Sequence, residues 1–93
     1  MRTIQPTNAY RRDYRRVKTN PRYRTLDEAL APVLQLLSDD MPLPVANRDH
    51  NLSGEYDDCR ECHIRPDMLL IYRKQGADIL QLVRLGSHSE LFR

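Results

Sequence analysis

Three histidines, His50, His63 and His88, stand in the second half of a 93-residue chain, each in a loop or beside the end of an expected strand. Imidazole titrates near neutrality, so a pair of such rings can take a proton from one oxygen and give one to another. That is the proton transfer needed to cut RNA through its own 2′-hydroxyl, with the substrate supplying the nucleophile. Asp67 follows His63 across a tight turn at Arg65-Pro66, which predicts that a hairpin brings the two together. His63, Asp67 and His88 are therefore candidates for one catalytic cluster, with His50 in the loop before them. Arg65 and Arg84 are candidates to stabilise charge building on the phosphorane.

Two competing motifs overlap this set. Cys59-Arg60-Glu61-Cys62-His63 matches C-x-x-C-H, the pattern of covalent c-type haem attachment. A strand there points Cys59 and Cys62 to opposite faces, and haem attachment goes with export, for which MRTIQPTNAYRRDYRR offers no apolar signal segment. Zinc could be held by three histidines and Asp67, but the cysteine pair has no second pair to complete a knuckle. The expectation is a cytoplasmic protein with neutral structural thiols and no metal or cofactor in its site.

The elements that must position these residues are readable from pattern. Residues 1–5 predict a short edge strand ended by Pro6, and Thr7 can cap a helix running to Lys18, with Tyr10, Tyr14 and Val17 on one face. Thr25-Leu26-Asp27-Glu28 is a capping box opening a second helix, whose apolar stripe is Leu26, Ala29, Leu30, Val33, Leu36 and Leu37. Pro32 lies inside that stripe and predicts a kink or a later start. A polar connection follows over residues 38–55, long enough to be a working loop, and it holds His50. The period then changes to two, giving strands over residues 59–65, 67–74 and 77–85 with turns at Arg65-Pro66 and Gln75-Gly76.

This order predicts an α+β fold, β-α-α-β-β-β, in which two N-terminal helices cover one face of a small antiparallel sheet and leave the other open. Alternation along the first long strand puts Cys59, Glu61, His63 and Arg65 on the open face and Ile64 toward the helices. At this length residues 1–93 form a single domain, and no run of 18 apolar residues is present to span a membrane.

Charge is divided along the chain. Residues 1–24 carry eight Arg or Lys against the single Asp13, a net +7, whereas residues 25–93 carry seven against twelve, a net −5. Arg11, Arg12, Arg15 and Arg16 would form a basic helix face suited to a phosphate backbone or to an acidic protein.

Asp49-His50-Asn51-Leu52-Ser53-Gly54, then His63-Ile64-Arg65-Pro66-Asp67 with Leu70-Ile71-Tyr72, then Gly86-Ser87-His88-Ser89-Glu90-Leu91-Phe92, occur in order and at close spacing. Over about residues 41–93 this pattern resembles the YafQ branch of the RelE toxins. The resemblance implies a RelE-like microbial RNase fold and a type II toxin that cleaves translated mRNA in the A site of the 70S ribosome. It implies His50, His63, Asp67 and His88 as the histidine and aspartate positions and Phe92 as the aromatic that contacts mRNA bases. Glu61 occupies an acidic position two before the strand histidine, a methylene longer than the aspartate of that branch. The expected partner is a small acidic antitoxin, DinJ-like and of the ribbon-helix-helix type. Related toxins on this scaffold bind gyrase without cutting RNA, and the shared His/Asp set is what argues against that alternative.

Overall fold

The computed structural model of the chain describes residues 1–92. Strand β1 (Thr3–Pro6) leads into α1 (Asn8–Lys18), and α2 (Leu26–Ser38) follows after a turn of 3₁₀ helix at Pro21–Tyr23. Beyond the polar connection come β2 (His50–Asn51), β3 (Arg60–Arg65), β4 (Met68–Gln75), β5 (Ile79–Gly86) and a single-turn helix α3 (His88–Leu91). The sheet order is β1-β5-β4-β3-β2. Every neighbouring pair is antiparallel except β1, which runs parallel to β5 with Pro6 opposite Leu82. The expected layout of two helices on a small sheet holds, with this one parallel edge added. That edge is where a strand ending in proline belongs, because proline has no N–H to donate.

Thr7 makes the turn from strand to helix. Its hydroxyl accepts from the Tyr10 N–H at 3.0 Å as the helix cap and donates to the Val83 carbonyl at 2.8 Å. The predicted capping box of α2 does not form. Thr25 makes no cap bond, and its hydroxyl and carbonyl instead accept from Arg65. Pro32 does not delay the start of the helix, since α2 spans Leu26–Ser38 with Pro32 on its exposed side, where water can serve the Glu28 carbonyl that lacks a donor.

Helix-facing residues of the three long strands (Cys62, Ile64, Met68, Leu70, Tyr72, Leu80, Leu82, Leu85) pack with Tyr10, Val17, Leu26, Leu30, Val33 and Leu37 into the main core. The opposite face is not open, contrary to the sequence expectation. Leu69, Ile71 and Cys59 are buried there under Leu91, with Leu52, Tyr56, Val83 and Phe92 against them. The cause is local: α3 and the loop before β3 fold back over the sheet, and neither announces itself as a layer.

The parallel edge also leaves a gap. Because β1 stops opposite Leu82, Leu85 pairs with β4 on one side but has no strand on the other, and α1 takes that place with two side chains one turn apart. Asp13 accepts from the Leu85 N–H at 3.0 Å, and Arg16 donates to the Leu85 carbonyl at 3.2 Å. Burial pushes the Asp13 carboxyl up, but hydrogen bonds from Arg84, Leu85 and Arg16 overcome it, and its pKa ends below the ordinary 3.8.

Two outcomes test this packing. Leu70, fully buried in the middle strand, should cost about 2–5 kcal/mol on Leu70→Ala, read by chemical denaturation. The stability owed to ionised Asp13 is complete above pH 3.8, its unfolded value, and is lost as pH falls through the lower folded value. The acid limb of the stability curve should therefore be shallower in Asp13→Asn than in the wild type.

Candidate active site

Strand β3 sets the site. Glu61 and His63 are two residues apart and point to the face away from the long helices, as alternation predicts. Glu61 does not face solvent, however: it is only 5% exposed. Its Oε1 lies 3.5 Å from His50 Nε2 and 3.9 Å from His63 Nε2. One buried carboxylate thus sits between two imidazoles.

His50 reaches this position because the short β2 pairs it directly with Glu61. The loop before it is tied down from the other side. Asp49 accepts from Tyr72 at 2.6 Å and from Arg60 at 3.1 Å, and Asn47 donates to the His63 carbonyl at 2.7 Å. Arg48 takes a left-handed conformation, φ 50°, which turns its carbonyl onto His50 Nδ1 at 2.6 Å. A carbonyl only accepts, so Nδ1 carries the hydrogen and Nε2 is the nitrogen presented toward Glu61.

Cross-strand register gives the neighbours. His63 stands opposite Leu69 and Leu69 opposite Gly86, while Glu61 stands opposite Ile71 and Ile71 opposite Arg84. Paired residues share a face, so Arg84 lies on the histidine face two strands away, about 10 Å at the backbone. Its guanidinium binds Asp13 through two bonds, 2.6 and 3.2 Å, which leaves three of its five N–H donors for other acceptors. Hydrogen bonding to Asp13 raises its pKa further above the ordinary arginine value.

Past Gly86 the chain enters α3 through a capping box. Ser87 accepts from the Glu90 N–H at 3.3 Å, and Glu90 accepts from the Ser87 N–H at 2.8 Å. His88 is thereby fixed as the first residue of the helix, exposed, with its ring 5.1 Å from Phe92, and Phe92 meets Tyr56 edge-on at 6.2 Å. Gly86 permits the close fit, since a Cβ there would lie 3.1 Å from Arg16, 3.2 Å from Glu90 and 3.2 Å from Leu91.

Two predicted members are elsewhere. A bulge between His63 and Arg65 shifts the register and throws Arg65 to the helix side, where it binds Thr25. Asp67 does not turn to His63: its carboxylate accepts from Tyr23 at 2.7 Å and pairs with Arg22 at 2.7 Å. Sequence reasoning missed Asp13, whose signal was its place as the one acid among eight basic residues, and the Ser87-x-x-Glu90 box, which is a legible cap. Among the described residues no three His, Cys, Asp or Glu side chains are gathered as a metal site. Cys59 and Cys62 are buried in different clusters on opposite faces, which removes the haem reading.

The comparisons with known proteins bear on this arrangement. The family described as "Bacterial toxin of type II toxin-antitoxin system, YafQ" matches residues 2–93. The chain belongs to the YafQ family. It is 30% identical over 91 residues to the mRNA interferase toxin YafQ of Escherichia coli K12, covering 98% of this chain and 96% of that one. A copper-bound mutant toxin from Helicobacter pylori superposes with a TM-score of 0.90 at 37% identity, over 99% of this chain and all of the other. The YafQ chain of the E. coli DinJ-YafQ toxin-antitoxin complex superposes with a TM-score of 0.84 at 30% identity, over 99% of this chain and 98% of that chain. As a member of the YafQ family the protein is a toxin of a type II toxin-antitoxin system with the RelE-like fold, and no helix among its described residues is long and apolar enough to cross a membrane.

The cysteines should be chemically silent. Burial pushes the Cys59 thiol up to about 11, helped by Asp58, and the Cys62 thiol up to about 12. Native protein at pH 8 should resist iodoacetamide until it is unfolded, as read by mass spectrometry.

Proposed function

We propose that the protein is a ribosome-dependent mRNA endonuclease that needs no metal and cuts in the A site by attack of the RNA's own 2′-hydroxyl. The observation that carries this reading is the convergence of His50 and His63 on buried Glu61, on the sheet face that also bears Arg84. In this reading His50 is the base. Its ring is held at Nδ1 by the Arg48 carbonyl, so Nε2 is the nitrogen that takes the 2′-hydroxyl proton, and the Glu61 carboxylate 3.5 Å from it stabilises the imidazolium that forms. The 2′-oxygen bonds to phosphorus, the bond to the 5′-oxygen breaks, and His88 protonates that leaving oxygen. His63 and Arg84 hold the phosphate while negative charge grows on it. Glu61 orients both rings, and Phe92 stacks on a base. Asp67 is a poor base in this arrangement, because two donors already occupy its carboxylate. It instead fixes the turn beyond His63.

The names of the curated relatives, mRNA interferase toxins, support the substrate class. Residues 1–93 act as one toxin domain, in the cytoplasm where ribosomes translate. The E. coli relative was solved with DinJ, and we infer for this chain a comparable acidic antitoxin, of ribbon-helix-helix type. Arg11, Arg12 and Arg15 are exposed on α1 and suit either that partner or ribosomal RNA, whereas Arg16 is held by Asp13 and Glu90.

The test uses purified toxin with translated and with free mRNA, with and without a transition-metal chelator that leaves magnesium to the ribosome. The expected result is chelator-resistant cutting of translated mRNA alone, leaving a 2′,3′-cyclic phosphate and a 5′-hydroxyl. Fragments ending in 5′-phosphate would overturn the mechanism. His88→Ala should slow cleavage by about 10²–10⁴-fold with the fold intact. Reversing Arg11, Arg12 and Arg15 to Glu should weaken ribosome binding and flatten its salt dependence.

A further inference from the structure

We infer that Asp13, on the first helix and outside the histidine cluster, is a positioning residue for cleavage: its buried carboxylate aims Arg84 and, through Arg16 and Glu90, seats the turn that carries His88. The inference rests on the roles given above to Arg84 and His88.

Asp13 is 3% exposed on a helix whose other charged residues are exposed and basic. A buried carboxylate is costly unless every oxygen is satisfied. Here Oδ2 accepts from Arg84 Nε at 2.6 Å and from the Leu85 N–H at 3.0 Å, and Oδ1 accepts from Arg84 Nη2 at 3.2 Å and Arg16 Nη1 at 2.9 Å. The Leu85 bond alone would be structural, replacing the strand that β1 does not supply. The fork to Arg84 is different. It binds the Nε edge of the guanidinium and so sets the plane and direction in which the remaining donors point. Without it, Arg84 is a long chain free to sample many rotamers on the histidine face.

The second arm runs through Arg16. Its guanidinium bridges Asp13 at 2.9 Å and Glu90 at 3.1 Å, and Glu90 closes the capping box over Ser87. His88 is the next residue. A carboxylate on α1 therefore fixes the two groups that the mechanism assigns to phosphate binding and to proton donation, although it touches neither RNA nor the histidines. Misplacement of about 1 Å in such groups can cost about 100-fold in rate, which sets the size of the expected effect.

A kinetic cycle separates this from plain stabilisation. Asp13→Asn, Arg84→Ala and the double variant are assayed on translating ribosomes, with folding checked by circular dichroism and thermal melts. The expected result is a kcat about 10–100-fold lower in Asp13→Asn with KM little changed, and a double variant far less impaired than the product of the two single effects. Independent, multiplying effects, or wild-type kcat in a folded Asp13→Asn, would overturn the inference. If Arg84→Ala alone cuts normally, the role of Arg84 in the mechanism fails, and the positioning of Arg84 fails with it. Should Asp13→Asn not fold, Asp13→Glu serves, since it keeps the charge but moves it by one methylene. It should lower kcat with the same lack of additivity toward Arg84→Ala, and a wild-type kcat in folded Asp13→Glu would count against the inference.

Discussion

Over its first five residues strand β4 has no free face. Met68, Leu69, Leu70, Ile71 and Tyr72 are all at most 2% exposed, so helices must cover one side of the strand and something must cover the other. The first cover is ordinary helix packing. The second is assembled from pieces too small to form a layer: Leu52 and Tyr56 from the loop before β3, and Leu91 with Phe92 from the last turn of the chain. Those pieces carry or adjoin His50, His88 and Phe92. Burial of the central strand and placement of the catalytic candidates are thus one requirement, and a change that loosened the cover would move the site.

The two buried carboxylates divide the electrostatic work. Glu61 lies among imidazoles, which can lose or gain a proton, while Asp13 lies among guanidiniums, which cannot. A partner that never changes charge is suited to fixing geometry, and one that does is suited to proton transfer. Both acids stand on regular elements, α1 and β3, rather than on loops. The histidines they serve include two on short or irregular segments, His50 and His88, and those are the ones that need external support.

Most of the layout was legible because it depends on period. The strand pattern placed Glu61 and His63 on one face and Ile64 on the other, and the helices begin and end close to where their signals stand. What was not legible depends on single residues that break a period. The bulge after His63 moves Arg65 to the opposite face, and no local residue type marks it. Thr25 has a proper box sequence, but Arg65 competes for its oxygen at 40 residues' separation, which no window along the chain can detect. Asp67 was expected beside His63 from hairpin proximity, which fixes where a backbone goes but not which way a side chain turns. Tyr23 and Arg22 decided that.

The same logic bears on how the proposed chemistry is laid out across the sheet. A general acid and a general base acting on one phosphate must approach it from opposite sides, and the proposed pair flanks the row of His63, Leu69 and Gly86 that crosses three strands: His50 lies beyond its β3 end, on β2, and His88 just past Gly86 at its β5 end. Gly86 is then required twice. Its missing side chain clears the row, and it lets Arg16, Glu90 and Leu91 close over the sheet at little more than 3 Å from where a Cβ would stand. Gly86→Ala would have to displace the ends of all three side chains. Leu91 belongs to the cover of β4, and Arg16 and Glu90 are the groups through which Asp13 reaches His88, so a single methyl at this position acts on that cover and on the proposed proton donor together.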